Sequence, residues 1–267
     1  MFYPLSDKVT KNLDSKFYVF DVETKGLDAR PEAFIFGCMY GKNFQKVFYT
    51  REDFQNEFKK AKYKTKYIFA HNAEYDLTSI YGNIITGLDN KAIFNGRFML
   101  AESNGVRFAD SFNILPSSLK KIGQILGIEK LELNDKFKTK NSKDFHITKK
   151  DIEYCMRDCE IVYEALLKIF TIAGDVKPTI GGLSMNFFRR KYLDTSIMTD
   201  STHDESFYES YYGGRVECFK IGKTKSYKYD VNSMYPYCMA NMYFPNPNNF
   251  RLKKKIKPSE LDFYLKR

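Results

Sequence analysis

FYVFDVET, residues 17–24, reads as a buried strand from Phe17 to Val22 that ends among carboxylates. Side chains on a strand alternate between faces, so Asp21 and Glu23 project to the same side. Two anions held that close raise each other's proton affinity unless a cation compensates, and a divalent metal with oxygen ligands is the usual compensator. Alone, such a pair at a strand end is more often a solvated turn, so its meaning rests on its surroundings. Working outward, AFIFGCMY (33–40) and QKVFY (45–49) read as second and third strands, divided by the turn residues Gly41, Lys42 and Asn43. Phe54 and Phe58 then form a helical i, i+4 stripe within 52–61, and YIFA (67–70) resumes a short buried strand.

Three strands, a helix and a strand is the element order of a ribonuclease H-like α/β fold. Downstream, SSLKKIGQILG (117–127) has helical patterning, and residues 130–143 form a lysine-rich polar connection. The strongest helix spans 148–170, with Ile152, Cys155, Cys159, Val162, Leu166 and Ile169 on one side, Thr148 as its cap and Gly174 beyond its end. DVKPTIGG (175–182) reads as a connector, which divides the chain into domains of 1–174 and 175–267.

The 267 residues carry 43 Lys and Arg against 33 Asp and Glu, a net charge of +10 that favours an acidic partner such as nucleic acid. No apolar run approaches the roughly 18 residues a membrane helix needs. The first residues, MFYPLSDKVTKNLDSK, lack the apolar core of a secretory signal, so a soluble intracellular protein with no membrane partner is expected. Five cysteines, an odd number without the dense spacing of secreted scaffolds, predict reduced thiols. Cys155 and Cys159 fall on the apolar stripe of the long helix and read as core rather than as a zinc site.

Two further acidic signals share the grammar of the first. FAHNAEYDL (69–77) runs from a buried strand into Asn72 and Asp76, and Asp76 reads either as an N-cap or first-turn acid favoured by a helix dipole or as a functional carboxylate. Tyr154 and Asp158 are i and i+4 on the long helix, hence on one face. In order, these residues make the D-x-E, N-x-x-[FY]-D and Y-x-x-x-D motifs of proofreading exonucleases, and the chain resembles the DEDD-type 3′–5′ exonuclease domain in its tyrosine-containing form. The resemblance implies that Asp21, Glu23, Asp76 and Asp158 hold two Mg²⁺ or Mn²⁺ ions for phosphodiester hydrolysis, and that Tyr154 orients the attacking water. It implies that Asn72 and Tyr75 hold a single-stranded 3′ end, with Phe69 and His71 as lesser candidates. It also implies a lysine before the third motif, for which Lys130, Lys136 and Lys138 all stay open. Ser118 and Leu119 resemble the S/T-L-x-x-h motif of protein-primed polymerases, implying contact with single-stranded DNA and a terminal priming protein; the plainer reading is a helix cap and a core leucine.

Tyr211, Gly213 and Gly214 form Y-x-G-G, and Asp230, Ser233 and Tyr235 lie in KYDVNSMYP (228–236). The latter resembles motif A (D-x-x-S-L-Y-P) of family B DNA polymerases, with Met234 for Leu. The resemblance implies the start of a palm domain, with Tyr211, Gly213 and Gly214 against DNA, Asp230 as a metal ligand, and Ser233 and Tyr235 at the incoming nucleotide, where the Tyr235 ring excludes a 2′-hydroxyl. The fingers motif K-x-x-x-N-S-x-Y-G and the later D-T-D do not occur, and Asp262 is the only Asp after Asp230. The expectation is the N-terminal part of a protein-primed family B DNA polymerase of viral, plasmid or mitochondrial type. It would proofread single-stranded and primer-template DNA, and use dNTPs only with a complete palm and fingers. A stand-alone DEDD exonuclease and a non-catalytic DNA-binding remnant are the competing readings; Asp230 argues against the first, and the intact carboxylate set against the second.

Overall fold

β1 (Phe17–Thr24) continues past the apolar stretch to include both acids, because its far half stays paired with β2 (Phe34–Gly41). The computed structural model describes residues 2–8, 10–83, 88, 90–94, 96–138, 146–197, 208–209, 211–223, 225–244, 255–260 and 263. Residues 5–192 form one unit, and 1–4 with 193–267 form another. In the first, β2 returns antiparallel along β1, and β3 (Phe44–Phe48) along β2 after the predicted turn, where Asn43 takes the left-handed conformation that asparagine tolerates. α1 (Arg51–Phe58), capped by the Thr50 side chain, leads to β4 (Tyr67–Ala70), which pairs parallel with β1.

Beyond β4 come α2 (Ala73–Tyr81) and three strands to which the sequence reading assigns nothing: β5 (Lys91–Phe94), β6 (Arg97–Ser103) and β7 (Val106–Asp110). Asn104 and Gly105 join β6 to β7 with φ of 54° and 78°, the paired left-handed conformations of a tight hairpin turn. The sheet order is β3-β2-β1-β4-β7-β6-β5, with β4 parallel to both neighbours, the mixed sheet of a ribonuclease H-like fold.

Both faces of this sheet are covered, which is why β1 and β4 read as nearly unbroken apolar runs. Phe17, Val19, Phe36, Cys38 and Phe69 share a core with the long helix α4 (Lys149–Ala173). Phe20, Val22, Met39, Ile68 and Ala70 share the other with α1 and α2. Phe17 stacks on Tyr163 of α4, ring centroids 4.8 Å apart, and meets Phe170 edge-on at 5.0 Å; burying one such ring contributes about 1.5–3 kcal/mol. By strand alternation Asp21 and Glu23 fall on the α4 side.

α3 (Leu119–Leu126) rests on α4 through Ile122 against Ile161 and Ala165. α4 starts and stops as its sequence predicts: Thr148 and Asp151 exchange side-chain-to-backbone hydrogen bonds in a capping box, and Gly174 closes the end at φ 80°. α5 (Ile180–Lys191) folds back onto α4, burying Leu183 and sending Asn186 Nδ2 to the Ala173 carbonyl at 2.7 Å. The first unit therefore runs on to Tyr192, past the connector at 175–182. In the second unit, Phe2 bridges Ile197 antiparallel, and α6 spans Met234–Asn241. Among the described residues no helix is long and apolar enough to cross a membrane.

Candidate functional site

Parallel strands that diverge open a cleft beyond their carboxyl ends. The β1–β4 pairing stops at Val19 and Phe69. Past that point the Val22 N–H donates not to a strand but to Asp76 Oδ1, at 3.1 Å, from the first turn of α2. Asp76 is thus no cap and no solvated acid: it is 2% exposed and ties α2 to β1. Asn72 turns the chain from β4 into α2 at φ 71° and makes no side-chain cap. The turn is pinned by Asp110 at the end of β7, whose carboxylate accepts from the N–H groups of Asn72 (3.0 Å) and Phe112 (2.9 Å).

α4 crosses the Asp21 side of the sheet and presents Tyr154 and Asp158 from successive turns. The result is a cleft of about 450 Å³ lined by Asp21, Glu23, Asp76, Tyr154 and Asp158, with His71, Asn72 and Tyr75 also on its wall. The Tyr75 hydroxyl is hydrogen-bonded to Thr24 Oγ1. His71 donates from Nε2 to the Ser117 carbonyl (2.9 Å), so its Nδ1 accepts from Ser111 Oγ (2.9 Å), a bridge from β4 to the segment entering α3.

Burial, then the charge of Asp158, pushes Asp21 up to about 7; burial, then Asp21, pushes Glu23 up to about 10. Asp76 and Asp158 are also raised, each mainly by burial. The Tyr154 hydroxyl is raised by burial and by Asp158, so it keeps its proton. Lys130 opposes these anions. Its ammonium donates to Asp158 Oδ2 and to the Tyr154 hydroxyl (3.0 Å) and lies 4.5 Å from the Tyr154 ring centroid. Lys136 instead binds Asp151 and the His146 carbonyl (2.8 Å), and Lys138 pairs with Asp135 (2.7 Å), so of the open lysines Lys130 is the one at the cleft.

The donor set fits a divalent cation. Asp158 Oδ1 is buried without a hydrogen-bond partner, and burial, then the neighbouring anions, raises the proton affinity of the carboxylates above its ordinary range. Cys155 Sγ lies within 4.8 Å of carboxylate oxygens of Asp21 and Glu23. The thiol, however, donates to the Asp21 carbonyl at 3.6 Å, and burial raises its pKa well above the ordinary value, so it stays protonated core, as the sequence predicts. Hard cations take the carboxylate oxygens.

Other candidates lie elsewhere. Phe69 is fully buried among core rings and has no face for a ligand. Ser118 caps α3, accepting from the Lys121 N–H at 3.4 Å, and Leu119 packs partly buried on the α4 core; neither lines the cleft. In the second unit Tyr211, Gly213 and Gly214 are exposed, without regular structure. Asp230 is exposed ahead of α6, Ser233 precedes that helix at φ 54°, and Tyr235 is exposed in its first turn. Asp262 and residues 139–143 of the lysine-rich connection lie outside the described residues. The sequence reading missed Asp110, although VRFAD (106–110) ends an apolar strand on an acid just as β1 does.

The chain is 27% identical over 248 residues to the DNA-directed DNA polymerase of Enterobacteria phage PRD1, covering 90% of this chain and 42% of that protein. It is 25% identical over 207 residues to the primer-independent DNA polymerase PolB of Escherichia coli, covering 61% and 24%. It thus spans less than half the length of these relatives. Among solved structures it matches Phi29 DNA polymerase complexed with primer-template DNA and incoming nucleotide substrates, with a TM-score of 0.57 at 20% identity over 75% of this chain and 39% of that one. Phi29 DNA polymerase complexed with single-stranded DNA matches with a TM-score of 0.51 at 20% identity, over 65% and 34%. At that identity the likeness speaks for the fold. The family described as DNA polymerase type B, organellar and viral, matches residues 128–265, more than half of the 267, and the chain belongs to that family.

Proposed function

We propose that the carboxylate cleft is a two-metal 3′–5′ exonuclease site acting on DNA, within the N-terminal part of a protein-primed type-B DNA polymerase. The observation that carries this reading is the convergence of Asp21, Glu23, Asp76 and Asp158 from three elements on one cleft, together with Tyr154 and Lys130. Two bound Mg²⁺ or Mn²⁺ ions would supply activation of a water and stabilisation of the departing 3′-oxygen. Asp21, Glu23, Asp76 and Asp158 would hold them. The chain's own groups do the remaining work. Tyr154 keeps its proton and so positions the water rather than deprotonating it. Lys130, steadied by Asp158 and the Tyr154 ring, offers positive charge to the scissile phosphate. Asn72 and Tyr75 grip the unpaired 3′ end, the amide by hydrogen bonds and the ring by stacking.

In the second unit Asp230, Ser233 and Tyr235 belong to the nucleotide site of a palm, with Tyr211, Gly213 and Gly214 against DNA. The relatives' names support DNA as the partner, and the family supports dependence on divalent metal.

With Mg²⁺ or Mn²⁺ the chain is expected to shorten a 5′-labelled single strand from its 3′ end, and Asp21→Ala with Glu23→Ala to abolish this while binding survives. Unchanged mononucleotide release by that double variant would remove the metal assignment. Primer extension by the 267-residue chain alone is not expected, because Asp230 lacks the D-T-D aspartate and the fingers lysine.

A further inference from the structure

On the sheet face turned away from Asp21, one buried acid gathers three lysines. Glu57, near the end of α1, has a side chain 1% exposed and accepts from Lys46 (2.6 Å), Lys60 (2.7 Å) and the Tyr63 hydroxyl (2.8 Å), while Lys62 lies 3.0 Å away. Lys46 stands opposite Met39, a residue of the α1-side core, which fixes the face. Burial raises Glu57, but the lysine and tyrosine bonds outweigh it and hold the carboxyl well below its ordinary range, so the acid stays ionised.

One ammonium would neutralise one carboxylate. Here three surround it, leaving surplus positive charge in one place. The lysines are also fixed: Lys62 lies 4.4 Å from the Phe44 ring centroid and 4.7 Å from that of Tyr63, and Lys46 lies 4.8 Å from that of Phe48. Tyr18 braces the platform, edge-on to Phe44 at 5.6 Å and to Tyr63 at 4.9 Å, with Lys66 above its own ring at 5.2 Å. Yet the side chains of Lys46, Lys60 and Lys62 stay 42%, 53% and 43% exposed, so N–H donors not used by Glu57 face solvent.

We propose that the Lys46, Lys60 and Lys62 cluster around Glu57 is a second binding surface for the phosphodiester backbone of DNA, separate from the carboxylate cleft. Held ammoniums with surplus charge and outward donors match phosphate oxygens. A protein partner fits less well, because its interface would need an apolar centre and the rings here are buried or lie beneath lysines. The proposal does not depend on the nuclease reading, since the cluster and Asp21 occupy opposite faces of the sheet.

The test is binding of a blunt duplex to the full chain in EDTA across a salt series. Lys60→Gln with Lys62→Gln removes two charges while leaving Lys46 to pair Glu57. The slope of log K against log salt is expected to fall by about 0.9 for each phosphate that the variant no longer neutralises. Lys60→Arg with Lys62→Arg, and a charge-matched pair elsewhere, Lys11→Gln with Lys168→Gln, should keep the parent slope. A Lys60/Lys62 glutamine variant indistinguishable from the Lys11/Lys168 control would overturn the proposal, as would an equal loss in both, which marks diffuse attraction to net charge. If the double variant melts early, Lys60→Gln alone reads the same slope.

Discussion

Lys130 is the counter-charge that lets Asp158 sit buried in a cleft with three other acids. Its removal leaves Asp158 without that partner and, on the proposed reading, the scissile phosphate without a positive neighbour. Lys130→Ala is therefore expected to lower nuclease turnover by about 10²-fold, the scale seen when one electrostatic donor is deleted from a reaction site; turnover equal to that of the parent would place the lysine outside the chemistry. On the proposed reading Asn72 and Tyr75 act on binding instead. Tyr75→Ala should weaken capture of single strands by roughly 1–3 kcal/mol, the worth of one base stack, and Asn72→Ala should weaken it through lost hydrogen bonds, with duplex affinity changed less in both. Equal losses on both substrates would count against a dedicated 3′-end grip. At this scale the sequence was legible where side-chain placement follows backbone period, as with Asp21 beside Glu23 and Tyr154 above Asp158. It was silent on which lysine meets Asp158, because Lys130, Lys136 and Lys138 share one polar stretch and differ only in where the folded loop delivers them.

Elements hold those residues in place through caps and close approaches. The α4 capping box joins Thr148 to Asp151, and Thr148→Ala should cost about 1 kcal/mol, roughly 2–4 °C in Tm for a domain of this size. A melting curve matching that of the parent would show that the helix start is held by packing alone. Gly37 of β2 is a tighter constraint. A Cβ there would stand 2.7 Å from the Asp21 carbonyl oxygen and press on the Phe54 ring. Gly37→Ala should thus destabilise by about 1–3 kcal/mol and lower nuclease activity more than stability alone explains, because the strand displaced is the one carrying Asp21. Elements with strong periodicity, such as β1 and α4, could be read in advance. β5 to β7 could not be read from periodicity, since polar and charged residues interrupt their apolar positions, although the Asn104–Gly105 hairpin turn was a usable local signal.

Across the whole molecule, the crowded acids link stability to pH. Their folded-state pKa values lie above the unfolded carboxylate range near 4, with Asp21 at about 7 and Glu23 at about 10. Above about pH 4 the unfolded chain releases protons that the folded chain retains, so metal-free stability should fall as pH rises from about 5 through 7 and beyond. On the proposed reading divalent cations would replace those protons. Stabilisation by Mg²⁺ or Mn²⁺ should therefore grow from pH 5 to pH 8, read as the difference in Tm between metal and EDTA. A difference that does not vary with pH would detach the ion from these carboxylates.

The sequence by itself determined what depends on local dihedral period and on side-chain type: the first strands, the long helix with both its ends, the shared face of Asp21 and Glu23, the stacking of Tyr154 over Asp158, and the motif order that implied the family. Tertiary structure alone decided what depends on chain segments meeting through space. It brought Asp76 to the Val22 N–H, Asp110 to the Asn72 turn and Lys130 to Asp158, and it buried Phe69 beyond any ligand's reach. It also drew Lys46 from β3 onto the same carboxylate as Lys60 and Lys62. The reason is physical. A strand or helix period is written every two or four residues, whereas the meeting of Val22 with Asp76, or of Lys130 with Asp158, is fixed only when two packed cores set the distance between β1, α2 and α4.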